Sequence, residues 1–309
     1  MEIDYLSQSC AEQQHEVWSI GIYTGNSLHR LSTPPGVVGP VLSQKDVTDI
    51  RADFVADPFM IFENGTWYMF FEVMNAENEQ GEIGLAVSND GLSWGYRQIV
   101  LKEPFHLSYP YVFKLGCEYY MIPETLGAES VLLYKAVDFP TVWSCAASLL
   151  PGVYADPSIF QFNDKWWMFA CPKPSYNDFL RLYYADHLTG RWREHPKSPI
   201  VESNACIARP GGRVTVWKGR PIRFTQDCLP SYGSRVRAFT ITHLTPTRYS
   251  EREMYGSPIL SAGNDVWNSS GMHHIDPHLM PDGKWIACVD GWQQIAKPEQ
   301  FNQEVGICN

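Results

Sequence analysis

The sequence predicts an all-β fold, a single five-bladed β-propeller with four-stranded antiparallel blades, and three observations predict it. A short element that ends in proline recurs five times at intervals of about 50 residues, a repeat length typical of propeller blades rather than helical solenoids. A second element follows three of these prolines with a methionine at a constant distance of 11 residues. Aromatic residues make up 14% of the 309 residues, which favours strands because aromatic side chains suit a half-buried pleated surface.

The first repeated element marks the start of the innermost strand of each blade. In every copy, a polar or aromatic residue stands directly before a proline. Blades are therefore predicted to start near residues 56, 108, 155, 208 and 275. The five copies are Ala-Asp57-Pro58, Ser-Tyr109-Pro110, Ala-Asp156-Pro157, Ala-Arg209-Pro210 and Ile-Asp276-Pro277.

The second repeated element gives each blade its second strand, and a turn sequence such as Asn64-Gly65 separates the two strands. A tryptophan stands where the fourth strand of three blades would begin. The chain is therefore predicted to be one domain, residues 1–309, in which residues 1–50 and 292–309 wrap the outside or complete the last blade. A third strand is expected in four blades at residues 81–88, 130–136, 180–185 and 236–241.

Composition and charge exclude several classes of partner. The formal net charge is −10, and no run of Lys and Arg is present, whereas nucleic acids and anionic membranes need clustered positive charge. The first 18 residues contain four acids and lack the apolar core of a signal peptide, and no later stretch is apolar enough to span a membrane. The eight cysteines form no Cys-x-x-Cys pair, which argues against a zinc ribbon. The sequence predicts a cytoplasmic protein without a membrane span or a nucleic-acid partner.

The starts of the five innermost strands should meet at one mouth of the axial channel, because these strands surround the axis of a propeller. Asp57, Tyr109, Asp156, Arg209 and Asp276 are therefore predicted to form a ring. Each Asp before a proline is also a common turn residue, so a structural role is the alternative. Three aspartates and one arginine at matched positions favour a site for a small polar ligand such as a sugar.

A second tier of polar residues stands 14 residues after each proline. It contains Glu72, Glu124 and Cys171, then Asp227 after a short insertion and Asp290 one residue early. These positions follow the second strand, so their side chains either reach the channel mouth or point into the packing of the blade. We predict that Glu72 and Asp227 bind substrate and that Glu124 has a catalytic role.

Carboxyl groups that meet in a partly dry channel favour acid–base chemistry. They cannot all ionise freely, so at least one pKa should rise, as a general acid requires. A glycosidase needs one protonated and one ionised carboxyl on either side of the scissile bond. We predict Asp57 as the base, Glu124 as the acid and Asp156 as the group that orients them and adjusts their pKa values. Arg209 would hold a pair of hydroxyls or a carboxylate of the substrate.

A histidine-rich segment surrounds the fifth proline, Pro277. Its residues His274, Asp276 and His278 share one face of a strand by the period of two. We predict that His273, His274 and Asp276 bind substrate, and hydrogen-bonded structural histidines or a metal site are the alternatives. No cofactor is predicted, although a calcium ion on the propeller axis is left open.

Several longer motifs carry a resemblance to a known family. They include Gly-Glu-Ile-Gly-Leu-Ala-Val-Ser at 81–88, Met-Ile-Pro-Glu124-Thr and Met-His273-His-Ile-Asp276-Pro-His. Over about four-fifths of the chain, residues 46–291, the sequence resembles the propeller domain at the N-terminus of plant glucosamine inositolphosphorylceramide transferases and its stand-alone bacterial relatives. The resemblance implies the propeller fold. The glycosyltransferase domain of those plant proteins has no counterpart here, so their transfer activity is not implied.

The segments Ala-Asp57-Pro and Ala-Asp156-Pro are similar, more distantly, to the arabinanase and β-xylosidase propellers of glycoside hydrolase family 43. Those enzymes are inverting hydrolases, and the resemblance implies Asp57 as the base. The family also places an Asp in the second blade and the glutamate of a Glu-Gly-Pro motif in the third. This sequence has Tyr109 and Asp156 at the corresponding blade starts and no Glu-Gly-Pro, so Glu124 as the acid rests on our own reasoning.

Three functions remain open from the sequence. The first is a carbohydrate-active, glycoside hydrolase-like enzyme that acts on a sugar or glycoside with carboxyl groups of the axial channel. The second is an acid–base enzyme for a non-glycosidic reaction, a cyclase, isomerase or dehydratase, in the same channel. The third is a non-catalytic sugar-binding module. A carboxyl held dry within reach of Asp57 would favour catalysis, and an aromatic platform without such a carboxyl would favour binding alone.

Overall fold

A computed structural model describes residues 14–172 and 177–296. Five antiparallel sheets surround one axis, which confirms the predicted five-bladed propeller. The parts of the predicted terminal segments at residues 1–13 and 297–309 lie outside the described residues. In the described ranges the helices are three short 3₁₀ turns, at Gln44–Asp46, Leu126–Ala128 and Val266–Asn268.

The first three blades each hold four strands, ordered from the axis outwards. Blade 1 consists of β2 (Ala52–Glu63), β3 (Thr66–Asn75), β4 (Gln80–Ser88) and β5 (Gly95–Leu101). Blade 2 consists of β6 (Ser108–Leu115), β7 (Glu118–Glu124), β8 (Ser130–Asp138) and β9 (Val142–Pro151). Blade 3 consists of β10 (Ala155–Phe162), β11 (Lys165–Cys171), β12 (Arg181–Ala185) and β13 (Arg193–Glu194).

The last two blades depart from this pattern. In blade 4, a fifth short strand pairs with the third. Blade 4 consists of β14 (Thr215–Trp217), β15 (Arg220–Asp227), β16 (Arg235–Thr245), β17 (Arg248–Glu253) and β18 (Leu260–Ser261). Blade 5 combines the two ends of the described chain, and it consists of β19 (Ile275–Leu279), β20 (Trp285–Ala296) and β1 (Gln14–Gly25).

Strand β1 closes the ring. It pairs with β20 along its whole length, from Gln14 opposite Ala296 to Gly25 opposite Trp285. The segment after β1 then turns back along its outer edge, where Leu42 bridges to Ile20. Ile20 is fully buried in a hydrophobic cluster that also contains side chains of blade 1. The strand therefore completes blade 5 and packs it against blade 1.

The tight hairpins form where turn sequences interrupt the strands. Asn64 and Gly65, between β2 and β3, both have positive φ, as a type I′ turn requires. Asn163 and Asp164 do the same between β10 and β11. Short polar side chains tolerate this left-handed backbone better than most, which is why these residues mark the turns in the sequence.

Three innermost strands carry the same irregularity at the repeat position. Asp57, Tyr109 and Asp156 have φ values of 53°, 48° and 50°, and the pairing of each strand with the next one slips at that point. A left-handed residue costs about 1–2 kcal/mol, and a proline after it restricts the backbone further. The irregularity is a β-bulge, which redirects the side chain at the end of the sheet. Blade 5 has no such bulge, because Asp276 sits in unbroken pairing opposite Cys288.

The core fills the space between the blades. Trp67, Trp166, Trp167 and Trp285, which occupy repeat positions, are all buried in hydrophobic clusters. In the described part of the chain, no helix has the length and apolar character needed to cross a membrane.

Candidate functional site

A cavity of about 230 Å³ lies beside the bulges at one end of the propeller axis. Blades 1, 2, 4 and 5 all contribute to its wall. Of the ten residues that the sequence predicted for the site, five line the cavity: Asp57, Glu72, Glu124, Arg209 and His273. A sixth, Asp156, lies behind the wall, where it bonds to Glu124 and Arg209. The lining residues are Trp18, Phe54, Ala56, Asp57, Glu72, Met74, His106, Ser108, Glu124, Arg209, Tyr232 and His273.

Asp57 has one carboxyl oxygen without a partner. The residue is only 5% exposed, and its Oδ1 makes no hydrogen bond within the described chain. The nearest basic atoms are His274 Nδ1 at 3.6 Å and His273 Nε2 at 3.8 Å, both too far for a direct bond. Burial, followed by the charges of neighbouring carboxylates, raises the pKa of Asp57 well above its usual range. Asp57 is therefore a buried acid that is ready to bond to a ligand.

Glu124, Asp156 and Arg209 form a buried ion cluster across three blades. Arg209 Nε donates to Asp156 Oδ2 at 2.5 Å, and Arg209 Nη2 lies 3.7 Å from Glu124 Oε2. Gln226 Nε2 also donates to Asp156 Oδ2, at 2.8 Å. Burial and then the charge of Asp156 raise the pKa of Glu124 to about 8, although Arg209 acts in the opposite direction. Glu124 therefore keeps its proton at neutral pH, while Asp156 carries the charge that pairs with Arg209.

Second-tier acids accept hydrogen bonds from the bulges of the following blade. Glu124 Oε2 accepts from the backbone N–H of Asp156 at 3.1 Å. Asp290 Oδ2 accepts from the backbone N–H of Asp57 at 2.9 Å. Each bond satisfies an N–H that the irregular pairing leaves free, which a buried backbone group requires. These acids thus support the strained positions and bring two carboxyl groups together at each joint.

Glu72 occupies the same tier in blade 1 but has a different partner. Its Oε1 lies 3.2 Å from His106 Nε2. His106 Nδ1 accepts a hydrogen bond from the backbone N–H of Gly81 at 2.9 Å, so the proton of the neutral ring sits on Nε2 and points to Glu72. Burial lowers the pKa of His106, but Glu72 outweighs this effect and raises it overall.

Asp290 holds His273 against the cavity. Its Oδ1 lies 2.8 Å from His273 Nδ1 and accepts the backbone N–H of His274 at 3.0 Å. Burial acts to raise the pKa of Asp290, but His273 and the other donors outweigh it and lower it. Because Asp290 is ionised, Nδ1 of His273 donates to it, and in the neutral ring Nε2 is then an acceptor that faces Asp57. The indole of Trp18 stacks on the imidazole with ring centroids 4.1 Å apart.

Four predicted site residues lie away from the cavity. Tyr109 has its hydroxyl bonded to Ser158 and to both backbone polar groups of Gly212, so it fills the axis instead of the mouth. His274 packs edge-on against Phe59 and Tyr109, with burial lowering its pKa to about 4, and neither ring nitrogen has a partner in the described chain.

Asp276 and Asp227 are the other two predicted site residues that lie away from the cavity. Asp276 pairs with Arg213 at 2.5 Å and with His278 at 3.0 Å, further along the axis. Asp227 pairs with Arg237 at 2.8 Å within blade 4. The expected five-membered ring therefore reduces to Asp57, Asp156 and Arg209, because Asp276 lacks the bulge that turns the other aspartates towards the mouth.

The cluster of Asp57, His273 and Asp290 has the composition of a metal site, since one ligand atom of each lies within 4.8 Å of the others. The partners of Asp290 argue against a cation there. Its Oδ1 already accepts from His273 and His274 and its Oδ2 from Asp57, so N–H donors occupy the lone pairs that a metal would need. These residues fit a hydrogen-bonded cluster, and the calcium ion left open by the sequence gains no support from them.

Sequence reasoning missed several residues of the site. Trp18 lies in the closing strand, outside the repeat, and His106 lies in the connection between blades 1 and 2, so repeat position gave no signal for either. Tyr232 lies in the loop between β15 and β16, also outside the repeat, and the centroid of its ring stands 5.0 Å from the guanidinium of Arg209. Asp290 was recognised as a second-tier acid, and its match to the repeat could have placed it in the site.

Comparisons with known proteins identify the family to which the chain is similar. Residues 10–292 match the family described as "Glucosamine inositolphosphorylceramide transferase 1, N-terminal". The chain is 34% identical to glucosamine inositolphosphorylceramide transferase 1 of Oryza sativa subsp. japonica, over 93% of this chain and 42% of that protein. It is 32% identical to the protein of the same name from Arabidopsis thaliana, over 98% of this chain and 42% of that one. The chain thus spans about two-fifths of the length of these curated relatives.

Solved structures with the same architecture are glycoside hydrolase propellers. A putative glycosidase from Bacteroides thetaiotaomicron superposes with a TM-score of 0.65 at 12% identity, over 89% of this chain and 98% of that one. A thermostable family-43 glycoside hydrolase gives 0.57 at 16% identity, over 79% and 90%. An α-L-arabinofuranosidase from Podospora anserina gives 0.58 at 12% identity, over 77% and 81%. These similarities show a glycoside hydrolase-like fold.

Proposed function

The chain belongs to the family of N-terminal domains of glucosamine inositolphosphorylceramide transferase 1, and we propose that its cavity binds one sugar residue and acts on it by acid–base chemistry. The observation that carries this proposal is the pair of buried carboxyl groups, Asp57 and Glu124, which face one cavity from neighbouring blades with different partners. The names of the family and of the structural neighbours refer to sugar chemistry, which supports a sugar as the ligand.

Glu124 is the proton donor of the proposed reaction. Burial and the charge of Asp156 raise its pKa to about 8, so it is protonated at neutral pH, which suits a group that protonates a leaving oxygen. Arg209 holds Asp156 in place and neutralises its charge. Asp156 thus orients Glu124 and adjusts its pKa without contacting the substrate.

Asp57 is the proton acceptor of the proposed reaction. Its unpartnered Oδ1 lies in the cavity wall, where it can receive a proton from a bound water or hydroxyl. The acid must lose its own proton first, and burial opposes this by raising its pKa. A bound substrate therefore has to favour the ionised form of Asp57.

The size of the cavity limits the ligand. About 230 Å³ is below the roughly 300–1,000 Å³ of pockets for drug-sized ligands. The space suits a single sugar ring or a polyol rather than a chain of sugars, so we propose a terminal residue or a monosaccharide as the substrate.

A second candidate function rests on His273. The Asp290–His273 pair presents Nε2 as an acceptor, the arrangement of an imidazole general base, and a hydrolase with two carboxyl groups does not need it. A base of this kind suits proton abstraction by an isomerase, a dehydratase or a cyclase in the same cavity. A binding module without catalysis is the remaining alternative.

The deciding experiment incubates the chain with a panel of aryl glycosides and free monosaccharides in D2O and follows both by NMR. We expect cleavage of at least one glycoside, and Asp57→Asn and Glu124→Gln should each lower kcat/KM about 100-fold or more. Glu118→Gln, a change to an exposed residue of the outer surface, is the matched control and should leave the rate unchanged.

Other outcomes of this experiment replace the proposal. Incorporation of deuterium into an uncleaved ligand, abolished by His273→Asn, would establish the second candidate. Binding of a sugar without cleavage or exchange would make the chain a binding module.

A further inference from the structure

We propose that the outer surface of blade 4 binds an acidic polysaccharide, at a site separate from the axial cavity. This blade carries an excess of positive charge, its own acids leave several cations unpaired, and two clefts lie along its outer strand, β17. Neither cleft shares a residue with the wall of the axial cavity. The inference therefore does not depend on the function proposed above.

Positive charge is concentrated in one part of an acidic chain. Residues 197–257 contain ten Lys and Arg and four Asp and Glu, a formal charge of +6. The other 248 residues contain 14 Lys and Arg and 30 Asp and Glu, a formal charge of −16. Residues 197–257 include strands β14 to β17, and their basic residues do not form a run. The fold of the blade therefore brings these residues together.

Three acids of blade 4 are already paired with arginines of the same blade. Arg223 Nε lies 2.5 Å from Glu251 Oε2. Arg237 contacts both Asp227, at 2.8 Å, and Glu253, at 2.9 Å. These carboxylates are therefore neutralised within the blade and do not balance the charge of its other basic residues.

Five exposed cations of the same range have no acid partner in the described chain. They are Lys197, Lys218, Arg220, Arg248 and Arg252. Glu202 is the acid of this range that is likewise left without an ion pair among the described residues. The surface of the blade therefore carries positive charge that its own acids do not balance, and such a surface attracts an anionic ligand.

The smaller of the two clefts, of about 270 Å³, lies at the start of β17. Lys197, His243 and Arg248 bring three basic groups to it, and none of its lining residues is an acid. Ser250 also lines it, with a hydroxyl 2.8 Å from His243 Nδ1. A carboxylate suits this wall, because Lys and Arg side chains only donate hydrogen bonds and bond most strongly to charged acceptors.

The larger cleft, of about 700 Å³, lies at the end of the same strand. Arg252 and His29 supply its basic groups, and the carboxylate among its lining residues, Glu253, is the one already paired within the blade. Trp217 and Tyr255 add aromatic rings, and Tyr255 is 91% exposed. An exposed aromatic ring offers a flat apolar surface on which the apolar face of a sugar ring can pack.

The spacing of the cations favours an extended ligand. Arg248, Ser250 and Arg252 alternate along β17 and therefore share one face by the period of two. Arg248 and Arg252 are four residues apart, about 13 Å along the strand, so a ligand that meets both must carry acidic groups over this length. A chain of uronate sugars presents a carboxylate and a ring face in every residue. This chemistry matches clefts that combine cations with aromatic rings.

A polysaccharide fits this surface better than a nucleic acid does. Double-stranded DNA carries one charge in about 1.7 Å of its axis, which is a much denser array than one carboxylate per sugar ring. The chain as a whole has a formal charge of −10, so its acidic remainder would repel such a dense polyanion. The exposed cations of blade 4 can balance the sparser carboxylates of a uronate chain.

Calorimetry on the full chain tests the inference with an oligogalacturonate and with the same oligomer after methyl esterification of its carboxylates. We expect the acidic oligomer to bind about 10-fold more tightly than the ester, or better, at low salt and neutral pH. Its affinity should fall as salt is added, because screening weakens the attraction between exposed charges. This comparison uses the unaltered chain and does not depend on whether a variant folds.

Variants assign the binding to the blade. Arg248→Gln and Arg252→Gln in one chain should weaken binding of the acidic oligomer about 10-fold or more. Arg97→Gln is the matched control, because Arg97 is also an exposed arginine on an outer strand, β5 of blade 1, and binding should be unchanged. Tyr255→Ala should weaken binding of the acidic oligomer and of its ester alike, by about 3-fold or more.

Several outcomes would overturn the proposal. Equal affinity for the two oligomers, binding of neither, or full affinity in the double variant would each do so. Tighter binding of a single-stranded oligonucleotide or of phosphatidylserine vesicles would do so as well, because the blade would then serve another class of partner. Loss of oligogalacturonate binding in Asp57→Asn would place the oligomer in the axial cavity and overturn the separate site. Retained binding in that variant supports it, whatever reaction the cavity performs.

Discussion

Glu124 joins three features of the site in one side chain. It accepts the backbone N–H of Asp156, faces the guanidinium of Arg209 and lines the cavity. Because it is 4% exposed, its proton is controlled by the surrounding groups more than by solvent. Its titration therefore reports on the whole ion cluster.

The raised pKa of Glu124 predicts a pH dependence of stability. Its pKa is about 8 in the folded chain and near 4.5 in the unfolded chain, so between these values the folded state holds a proton that the unfolded state has released. The free energy of unfolding should therefore fall as the pH rises from 5 to 8, with a slope of at most about 1.4 kcal/mol per pH unit from this group. Denaturant unfolding across this pH range measures it.

Glu124→Gln is the comparison for this titration. The variant keeps the shape of the side chain and loses the titrating group, so its free energy of unfolding should fall less steeply over the same range than that of the unaltered chain. Parallel profiles for the two proteins would show that Glu124 is already ionised at pH 5.

The spacing of the repeat predicted some of the residues that line the site, but not the direction in which each of their side chains points. Asp57, Asp156 and Arg209 meet as the repeat predicted, and their catalytic and binding roles stay predictions. Tyr109 lies in a bulge of the same kind as that of Asp57, but its longer side chain reaches the backbone of Gly212 across the axis. Asp276 matches the repeat in sequence and lacks the bulge, and no single residue type signals a left-handed backbone before proline. The repeat position therefore predicts which residues lie near the axis, and the backbone φ at that residue decides whether its side chain points to the cavity.

Blades 4 and 5 meet at Gly212, a residue that the sequence analysis did not single out. Gly212 forms a parallel bridge with Ile275, and its N–H and C=O both bond to the hydroxyl of Tyr109. A Cβ at this position would stand 1.7 Å from the carbonyl oxygen of Ile275, and the φ of +135° is itself unfavourable for other residues. At this position blade 4 therefore contacts blade 5 through backbone atoms.

Gly212→Ala should destabilise the chain by more than about 4 kcal/mol, because the backbone contact must separate. Gly219→Ala is the matched control: that glycine also has positive φ but has nothing within 4 Å, so we expect a loss of only about 1–2 kcal/mol. The midpoint and slope of urea unfolding measure the free energy lost in each variant. Similar losses for the two variants would mean that the strands separate easily at this contact.

Tyr109→Phe tests the same contact where Gly212→Ala fails to fold. Removing the hydroxyl leaves the N–H of Gly212 without its partner and leaves its carbonyl only the 3.5 Å contact with Ser158 Oγ, so we expect a loss of about 1–3 kcal/mol. An unchanged free energy of unfolding would show that the hydroxyl contributes nothing to the joint.

The sequence predicted the strands that are joined by short hairpin turns and missed the irregular innermost strand of blade 4. Asn64-Gly65 and Asn163-Asp164 lie in the expected hairpins because their residue types set the turn. The innermost strand of blade 4 is only the three residues Thr215–Trp217, because the chain before it bridges to β15 and to blade 5 in single steps. Pairing between distant segments of this kind has no local signature.

We expect ring closure to make the described propeller one cooperative unit. Blade 5 holds both ends of the described chain, and blades 1, 2, 4 and 5 share the cavity wall. Opening the ring at β1 would remove Trp18 from the site and expose the cluster that contains Ile20 and Ile22. The site should therefore be lost together with the fold. The cytoplasmic location inferred from the sequence stays a prediction.

Ile22→Ala in the closing strand should lower the free energy of unfolding by about 2–5 kcal/mol, because the side chain is 1% exposed and packs between blades. In the variant, as in the unaltered chain, the far-UV and near-UV circular dichroism transitions should coincide, because a two-state transition has the same midpoint by either probe. A near-UV transition at a lower denaturant concentration would instead mean that blade 5 opens on its own.

The pairing of Gln14 with Ala296 also places the two ends of the described part of the chain side by side. This pair lies four residues beyond the paired Trp18 and Trp292, a distance of about 13 Å along the strands, at the end that carries the cavity. A domain joined beyond either residue would be tethered to the propeller near the cavity mouth, at a distance set by the length of the chain between them. Through a short linker, the effective concentration of that domain at the mouth would reach the millimolar range, so a ligand could pass between the two sites before it escapes into solution.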